Sequence, residues 1–375
     1  MNPSTRALLF GVDPVPWLLT SPEPAARWIT LTHVLGCPPD DPQVREAHTA
    51  VLADPGTAPL LGRIPDWEVA ATLSGHDSPA YAPCLLELLA WLGVRPSDDP
   101  RVARLLEQML AHQDDEGRFQ SHNVSRARPQ GAWGALLCDN HAIAAALIRH
   151  GLGDRPEVQR ALRTAVTDIT QTAQGRAWPC RPDPGSGWRG PGRKGDVCPQ
   201  VTLEALLTFS RLRPEGWPRG VSREALLAAG KVSLGIWRDR GAEKPYMFGH
   251  GRQFKRVKWW PGWYGALAVI EALSGYPELW DNRAAQENRR TFCEVAACLL
   301  AYNVDPATGT ITPRSCYRGF EAFSFGQKKQ PSPLATARVL AALTPLEELA
   351  EEIAAVNVLA LGSSKGGTGR ALPPG

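Results

Sequence analysis

The sequence predicts an all-α protein in which six apolar inner helices alternate with six amphipathic outer helices around a closed ring. A phrase made of a helix-stopping glycine, a short loop, an Asp and a Pro recurs about every 55 residues. Segments before the glycines are apolar on most sides, whereas segments after the loops carry charged residues at surface spacing. No segment has a convincing strand pattern. A closed ring is favoured over an open solenoid because the inner helices are apolar nearly all round.

The repeated phrase marks where one helix ends and the next begins. A glycine stops a helix, an Asp can cap the following one, and a Pro fits its first turn. The three clearest copies are Gly36 with Asp41 and Pro42, Gly93 with Asp99 and Pro100, and Gly151 with Asp154 and Pro156.

Twelve segments follow from this pattern. The predicted inner helices are Trp28–Leu35, Tyr81–Leu92, Cys138–His150, Pro199–Leu212, Trp263–Leu273 and Ser332–Leu343. The predicted outer helices are Gln43–Ala53, Arg101–His112, Glu157–Thr170, Ser222–Trp237, Arg283–Tyr302 and Leu346–Val356. The ring would span residues 26–357, after an N-terminal extension of residues 1–25 and before a flexible tail of residues 358–375.

Composition excludes several classes of protein. The 41 basic residues nearly balance the 38 acidic ones, so the net charge of +3 does not favour nucleic acid or an anionic membrane as partner. No run approaches the roughly 20 apolar residues of a membrane-spanning helix. The N-terminus does not resemble a signal peptide, and the eight cysteines are scattered. We therefore expect a cytoplasmic protein with free or metal-bound thiols. Nothing in the sequence fixes the oligomeric state.

Aromatic and basic residues are concentrated between Lys244 and Gly275, directly before an apolar helix. Such a stretch suits the mouth of a cavity for a hydrophobic small molecule, with rings as wall and cations holding an anionic group. Alternatively, the tryptophans plug the core while the lysines stay solvated. The predicted wall residues are Trp259, Trp260, Trp263 and Tyr264, and the predicted basic residues are His250, Arg252, Lys255 and Lys258.

Cysteines begin two equivalent inner helices. Parallel inner helices would bring Cys138 and Cys198 to one rim, where a helix N-terminus lowers the pKa of a thiol. His141 lies one turn along from Cys138, so these three residues form the predicted catalytic group. Cys180 lies in the loop leading to the same end. A tetrahedral zinc site would comprise Cys138, Cys180 and Cys198 with His141 or Asp196. The alternative is that the cysteines are small buried hydrophobes.

Three glutamates, Glu87, Glu204 and Glu271, fall at similar depths within the predicted inner helices. A carboxylate inside an apolar ring is costly unless it is paired. We expect pairing with a neighbouring arginine, and the alternative is that these side chains face the cavity as acids.

Two glutamine-rich turns carry a resemblance to a known family. The turns at Gln113–Phe119 and Gln171–Trp178 are similar to the Q-x-x-D-G-x-W turns of squalene–hopene cyclases. Over roughly residues 25–345 the chain resembles the superfamily of terpenoid cyclases and protein prenyltransferases, which implies an α/α toroid. Asp196-Val197-Cys198 also resembles the D-x-C segment of protein prenyltransferase β subunits, in which the Asp and the Cys bind zinc with a downstream His.

The chain also departs from this superfamily. The helix expected to supply the downstream His begins Gln330-Pro331-Ser332-Pro333, without a histidine. D-x-D-D and D-D-x-x-D motifs are absent, and the paired aspartates at 40–41, 98–99 and 114–115 suit caps and turns.

Two functions stay open. One is an enzyme that cyclises, transfers or eliminates on a hydrophobic or isoprenoid-like small molecule through a cationic intermediate. The other is a non-catalytic toroid that binds a lipid, peptide or partner protein at its mouth.

Overall fold

The computed structural model describes residues 1–70, 78–124, 128–183, 193–239, 252–260 and 264–361. The protein is 55% helix and 7% strand, which confirms the predicted all-α class. The α-helices are α1 (Pro3–Phe10), α2 (Val15–Leu19), α3 (Pro24–Ile29), α4 (Pro42–Leu52), α5 (Thr57–Leu61), α6 (Ala82–Leu92), α7 (Pro100–Ala111), α8 (Leu137–Arg149), α9 (Pro156–Thr167), α10 (Pro199–Ser210), α11 (Arg223–Asp239), α12 (Arg252–Lys255), α13 (Ala266–Leu273), α14 (Gln286–Asn303), α15 (Pro333–Leu343) and α16 (Ala350–Ala355).

Short irregular helices extend or link these elements. Helix α3 continues as a π-helical turn, Thr30–Val34, and α16 is preceded by the 3₁₀ segment Thr344–Leu349. Further 3₁₀ turns cover Pro214–Gly216, Pro277–Leu279 and Ser324–Gly326. All twelve predicted helical segments are therefore largely helical, with ends that differ by a few residues.

The expectation of no strands is wrong in detail. Within the described residues, six short strands pair antiparallel as three hairpins: β1 (Ser121–Asn123) with β2 (Ala132–Gly134), β3 (Thr170–Thr172) with β4 (Gly175–Ala177), and β5 (Val304–Asp305) with β6 (Thr310–Ile311). The glutamine-rich turns account for part of this. Residues Gln113 and Phe119 form a bridge around Gly117, whose φ of +89° a glycine adopts without strain.

The six inner helices contact one another in sequence. Helix α3 packs against α6, α6 against α8, α8 against α10, α10 against α13, α13 against α15, and α15 against α3. Outer helices back them: α4 packs on α3, α9 on α8, α11 on α10 and α14 on α13. The inner helices are buried on several sides, as in α6, where Leu85, Leu86, Leu88 and Leu89 are each at most 1% exposed. This burial explains why their sequences are apolar without a clear polar face.

The repeated phrase performs the predicted capping in two of its three copies. Asp41 accepts a hydrogen bond from the Gln43 amide at 2.8 Å, and Asp99 accepts one from the Arg101 amide at 2.8 Å. In the third copy Arg155 occupies the N-cap position without a side-chain cap, so the prediction for Asp154 is wrong. The prolines occupy the first turn in all three helices.

The N-terminal residues are attached to the end of the helical array. Helix α1 packs against α16, and the Met1 amino group lies 3.2 Å from Glu347. The predicted boundary at residue 25 falls inside α3. Within the described parts of the chain, every helix is too short or too polar to cross a membrane.

Candidate functional site

A cavity of about 880 Å³ lies between five inner helices and the segment before α13. Its lining comes from α6, α8, α10, α13 and α15, and from residues 253–260 and 314–317. Gln253, Lys258 and Arg314 are its exposed lining residues and mark the side facing solvent. A volume of this size is typical of small-molecule sites.

Aromatic and aliphatic side chains form much of the cavity wall. Phe254 and Trp260 are only 7% and 5% exposed, and Tyr264, Leu203 and Leu207 also line the space. Trp260 therefore has the wall position that the sequence predicts, as does Tyr264. Lys258 lines the cavity too, and its Nζ lies 3.7 Å from the centre of the Tyr317 ring.

Two members of the predicted wall and basic group lie elsewhere. Trp259 is 1% exposed, and its amide donates to the Ser315 carbonyl at 2.9 Å, so it is a core residue and not part of the cavity lining. Lys255 lies over the rings of Trp237 and Tyr302, at 5.7 and 5.1 Å, outside the lining. Both outcomes match the alternative interpretation of plugged tryptophans and snorkelling lysines.

The structure does not describe the side chains of the three remaining residues of the predicted wall and basic group. Trp263 and His250 lie outside the described residues, and Arg252 begins α12 with a side chain that is not described. Arg256 and Arg314 line the cavity and were not predicted. Arg256 belongs to the same basic and aromatic stretch, which is a signal for it, whereas Arg314 follows more than 50 residues later without a local signal.

Two of the three glutamates form ion pairs across the inner helices. Glu87 on α6 binds Arg211 at the end of α10, with Nη2 and Oε2 2.8 Å apart. Glu271 on α13 binds Arg338 on α15 through two hydrogen bonds of 2.9 and 3.1 Å. Burial alone would raise the pKa of Glu87, but the charge and hydrogen bonds of Arg211 lower it overall. The predicted pairing is confirmed for these two residues.

Glu204 is the exception. It lines the cavity on α10, and its Oε1 accepts a hydrogen bond from Gln200, one turn earlier in the same helix. Its Oε2 has no hydrogen-bond partner among the described residues. Burial raises the pKa of Glu204 well above its ordinary value, and the charges of Asp139 and Glu87 raise it further. This environment favours the neutral acid, a proton donor inside an apolar space.

The predicted thiol group is partly assembled. Cys180 and Cys198 lie within hydrogen-bonding distance of each other, and Cys138 is near enough for its charge to affect Cys198. The pKa values of Cys138 and Cys198 are raised, which favours protonated thiols over thiolates. The hydrogen bond to Cys180 and burial raise the pKa of Cys198, and burial and Asp139 raise that of Cys138. The predicted lowering is therefore not found, because burial is the largest cause of the shift for Cys138 and the hydrogen bond to Cys180 is the largest for Cys198.

His141 and Asp196 do not join these thiols. The fully buried His141 ring packs edge-on against Trp178 at 5.7 Å, and neither ring nitrogen has a hydrogen-bond partner among the described residues. Burial lowers the pKa of His141 to about 4, so the ring is neutral. Asp196 instead accepts a hydrogen bond from Gln174 at 3.0 Å. In the described ranges, no three His, Cys, Asp or Glu side chains are arranged to hold a metal ion.

Cys84 is a cavity residue that sequence reasoning missed. It lies one turn before Glu87 on α6 and lines the same space. Burial raises the pKa of its thiol, and Glu204 contributes next, so the two side chains are close. Cys84 therefore belongs to the neutral polar part of the lining.

The raised pKa of Glu204 predicts how stability depends on pH. Glu204→Gln keeps the size and removes the titration. The wild-type protein should lose stability relative to the variant as pH rises above 4.5, by about 1.4 kcal/mol for each unit by which the folded pKa exceeds the unfolded one. Urea unfolding between pH 4 and pH 8 measures this. Glu87→Gln should show the opposite sign at lower pH: because the folded pKa of Glu87 is lowered, the wild-type protein should lose stability relative to this variant as pH falls below 4.5. A Glu204→Gln effect that is independent of pH would contradict the assignment of a neutral acid.

Comparison with known proteins does not identify this site. No protein-family model matches the chain, and no curated protein matches its sequence.

Proposed function

We propose that this chain is an enzyme with an α/α toroid fold that acts on a hydrophobic, isoprenoid-like small molecule in its central cavity. The contact cycle of the six inner helices, each of which packs on the next and the last on the first, supports the toroid. The outer helices that pack on α3, α8, α10 and α13 support the paired arrangement.

The observation that carries the proposal is Glu204, which lines the cavity beside aromatic and aliphatic side chains, has no basic partner among the described residues and has a pKa that burial raises. Ion pairing satisfies the other two interior glutamates, Glu87 and Glu271, and makes them poor proton donors. A carboxyl kept protonated by an apolar environment is a common way to place a general acid in a site.

The proposed chemistry begins with proton transfer from Glu204 to one carbon of a substrate double bond. The electron pair of the π bond forms the new C–H bond, and the neighbouring carbon becomes cationic. Aromatic faces of Tyr264 and Phe254 stabilise that cation. Gln200 donates its hydrogen bond to the carboxylate that remains. Loss of a proton from the rearranged cation to this carboxylate restores the acid and gives an alkene product.

An isotope experiment tests this function without knowledge of the natural substrate. The protein is incubated in D₂O with geranylgeraniol or squalene, and the recovered compounds are analysed by mass spectrometry. Transfer from Glu204 should add one deuterium to a product. Glu204→Gln should lose at least about 100-fold of this activity, the scale of general acid catalysis. Glu107→Gln, on the exposed surface, is the matched control and should keep it.

A non-catalytic toroid that binds a lipid, peptide or partner protein is the rival. The absence of D-x-D-D and D-D-x-x-D motifs favours it. Binding of these compounds without deuterium incorporation by the wild-type protein would support the rival and exclude proton-transfer chemistry on them.

Zinc is retained as a second part of the proposal. The Cys180–Cys198 pair would supply two thiolates, and the ion would have to draw Cys138 toward them, since zinc–sulfur bonds are about 2.3 Å long. His141 and Asp196 have other surroundings, so neither is proposed as the fourth ligand. Such an ion would deprotonate and hold the thiols.

Metal analysis tests the zinc assignment directly. Protein purified without chelator should contain close to one zinc per chain, and Cys198→Ser should lose most of it. Cys293→Ser, a change in the core between inner and outer helices, is the control and should keep the metal. Metal-free wild-type protein from zinc-supplemented growth would remove zinc from the proposal.

A further inference from the structure

Arg149 is an interior arginine without a carboxylate partner. It lies in the last turn of α8, one turn beyond the cavity-lining Ala145. Within the described ranges, no hydrogen bond or ion pair joins its guanidinium to another residue, and its Nη2 is inaccessible to solvent. Burial first, and then the charge of Arg211, lower the pKa of Arg149 to about 10.

Among the described charges that act on Arg149, no carboxylate is left to pair with it. Arg149, Arg211 and Arg338 affect one another here, whereas Glu87 and Glu271 are the two carboxylates that act on Arg149. Each carboxylate is already engaged by one of the other two arginines. His33 adds no charge at neutral pH, because the surrounding protein and Arg149 lower its pKa to about 4.

Two contacts stabilise the positive charge of Arg149 but leave its N–H groups without acceptors. Its guanidinium carbon lies 4.5 Å from the centre of the Trp91 ring, and the C-terminal end of α8 favours a cation. Neither contact supplies an acceptor for its N–H groups. Arg149 is partly exposed, but its Nη2 is buried without an acceptor among the described residues, and buried donors are normally paired.

Arg338 supplies a second unpartnered donor near the same indole ring. Its guanidinium carbon lies 5.1 Å from the centre of the Trp91 ring, so both arginines contact one indole. Arg338 is 7% exposed, and its Nη1 has no hydrogen-bond partner among the described residues, although Nε and Nη2 bind Glu271. Arg338 also lines the cavity, which connects this place with the ligand space.

We propose that Arg149, together with the Nη1 group of Arg338, binds a carboxylate carried by the ligand of the central cavity. This inference rests on the proposed function, because it names the polar group of the same hydrophobic ligand. A carboxylate presents two oxygens in one plane, which suits the N–H groups of guanidinium side chains. The hydrocarbon part of the ligand would lie along Leu203 and Leu207 toward Trp260 and Tyr264.

Decanoate and decanol separate the anion site from the hydrophobic cavity, since they differ in the polar end alone. Calorimetric titration at pH 8 should show that decanoate binds the wild-type protein more tightly than decanol. Arg149→Met should weaken decanoate binding about 10- to 100-fold, the range for hydrogen bonds to a charged group. Decanol binding should change less than about twofold, within the measurement scatter of such comparisons. Arg155→Met changes an exposed arginine that is paired with Glu107, and it is the control. It should alter neither decanoate binding nor decanol binding.

The outcomes distinguish the two proposals. If neither probe binds, the hydrophobic cavity function fails. If both bind and Arg149→Met leaves the preference for decanoate unchanged, the carboxylate site is wrong while the cavity function stands. Arg149→Lys provides the same test should the Met variant fail to fold. Lysine keeps the charge but loses the forked donors, so decanoate should weaken about tenfold and decanol should not. Equal weakening of both probes in the Lys variant would overturn the site.

Discussion

The interior of this protein depends on two ion pairs that cross between inner helices. Glu87–Arg211 joins α6 to α10, and Glu271–Arg338 joins α13 to α15. Both pairs are largely enclosed by protein, where removal of one partner typically costs about 3–5 kcal/mol. They also shape the site, because Arg338 is held over the Trp260 ring at 4.0 Å.

These pairs explain why the third glutamate behaves differently. Arg211 and Arg338 are engaged by Glu87 and Glu271, and among the described residues Glu204 has a hydrogen bond from Gln200 but no ion pair, so burial raises its pKa. The same arrangement leaves Arg149 without a carboxylate. Among the described residues, Glu204 lacks a basic partner and Arg149 lacks an acidic one, and a ligand would use such groups because polar atoms buried without partners are costly.

Much of the helical framework could be predicted from the sequence. Glycine, Asp and Pro stop, cap and begin helices through contacts with residues near them in the sequence. The helix starts at Pro42 and Pro100 could therefore be predicted. Burial of charge is also predictable in part: a glutamate in an apolar helix needs a partner, and Arg211 and Arg338 supply it. The identity of each partner depends on which helices are neighbours, and local sequence does not contain that information.

The site was harder to predict because side-chain direction depends on distant contacts. Trp259 and Trp260 are adjacent, yet the backbone contact of Trp259 with Ser315 places it in the core, and Trp260 faces the cavity. His141 was expected beside Cys138, but it packs against Trp178 from the neighbouring turn. The thiols show a competition of two effects. A helix N-terminus favours thiolate, but the pKa of Cys138 is raised, chiefly by burial.

The central claim is that the inner helices enclose a cavity that takes an amphipathic ligand with its charged end innermost. A crystal structure of the protein grown with 10-bromodecanoate, measured at the bromine absorption edge, tests this most directly. The account predicts one strong anomalous peak near Trp260 and Tyr264, with the carboxylate at Arg149. A bromine peak beside Arg149, with the carboxylate at Lys258, or the absence of bromine from the cavity, would contradict it.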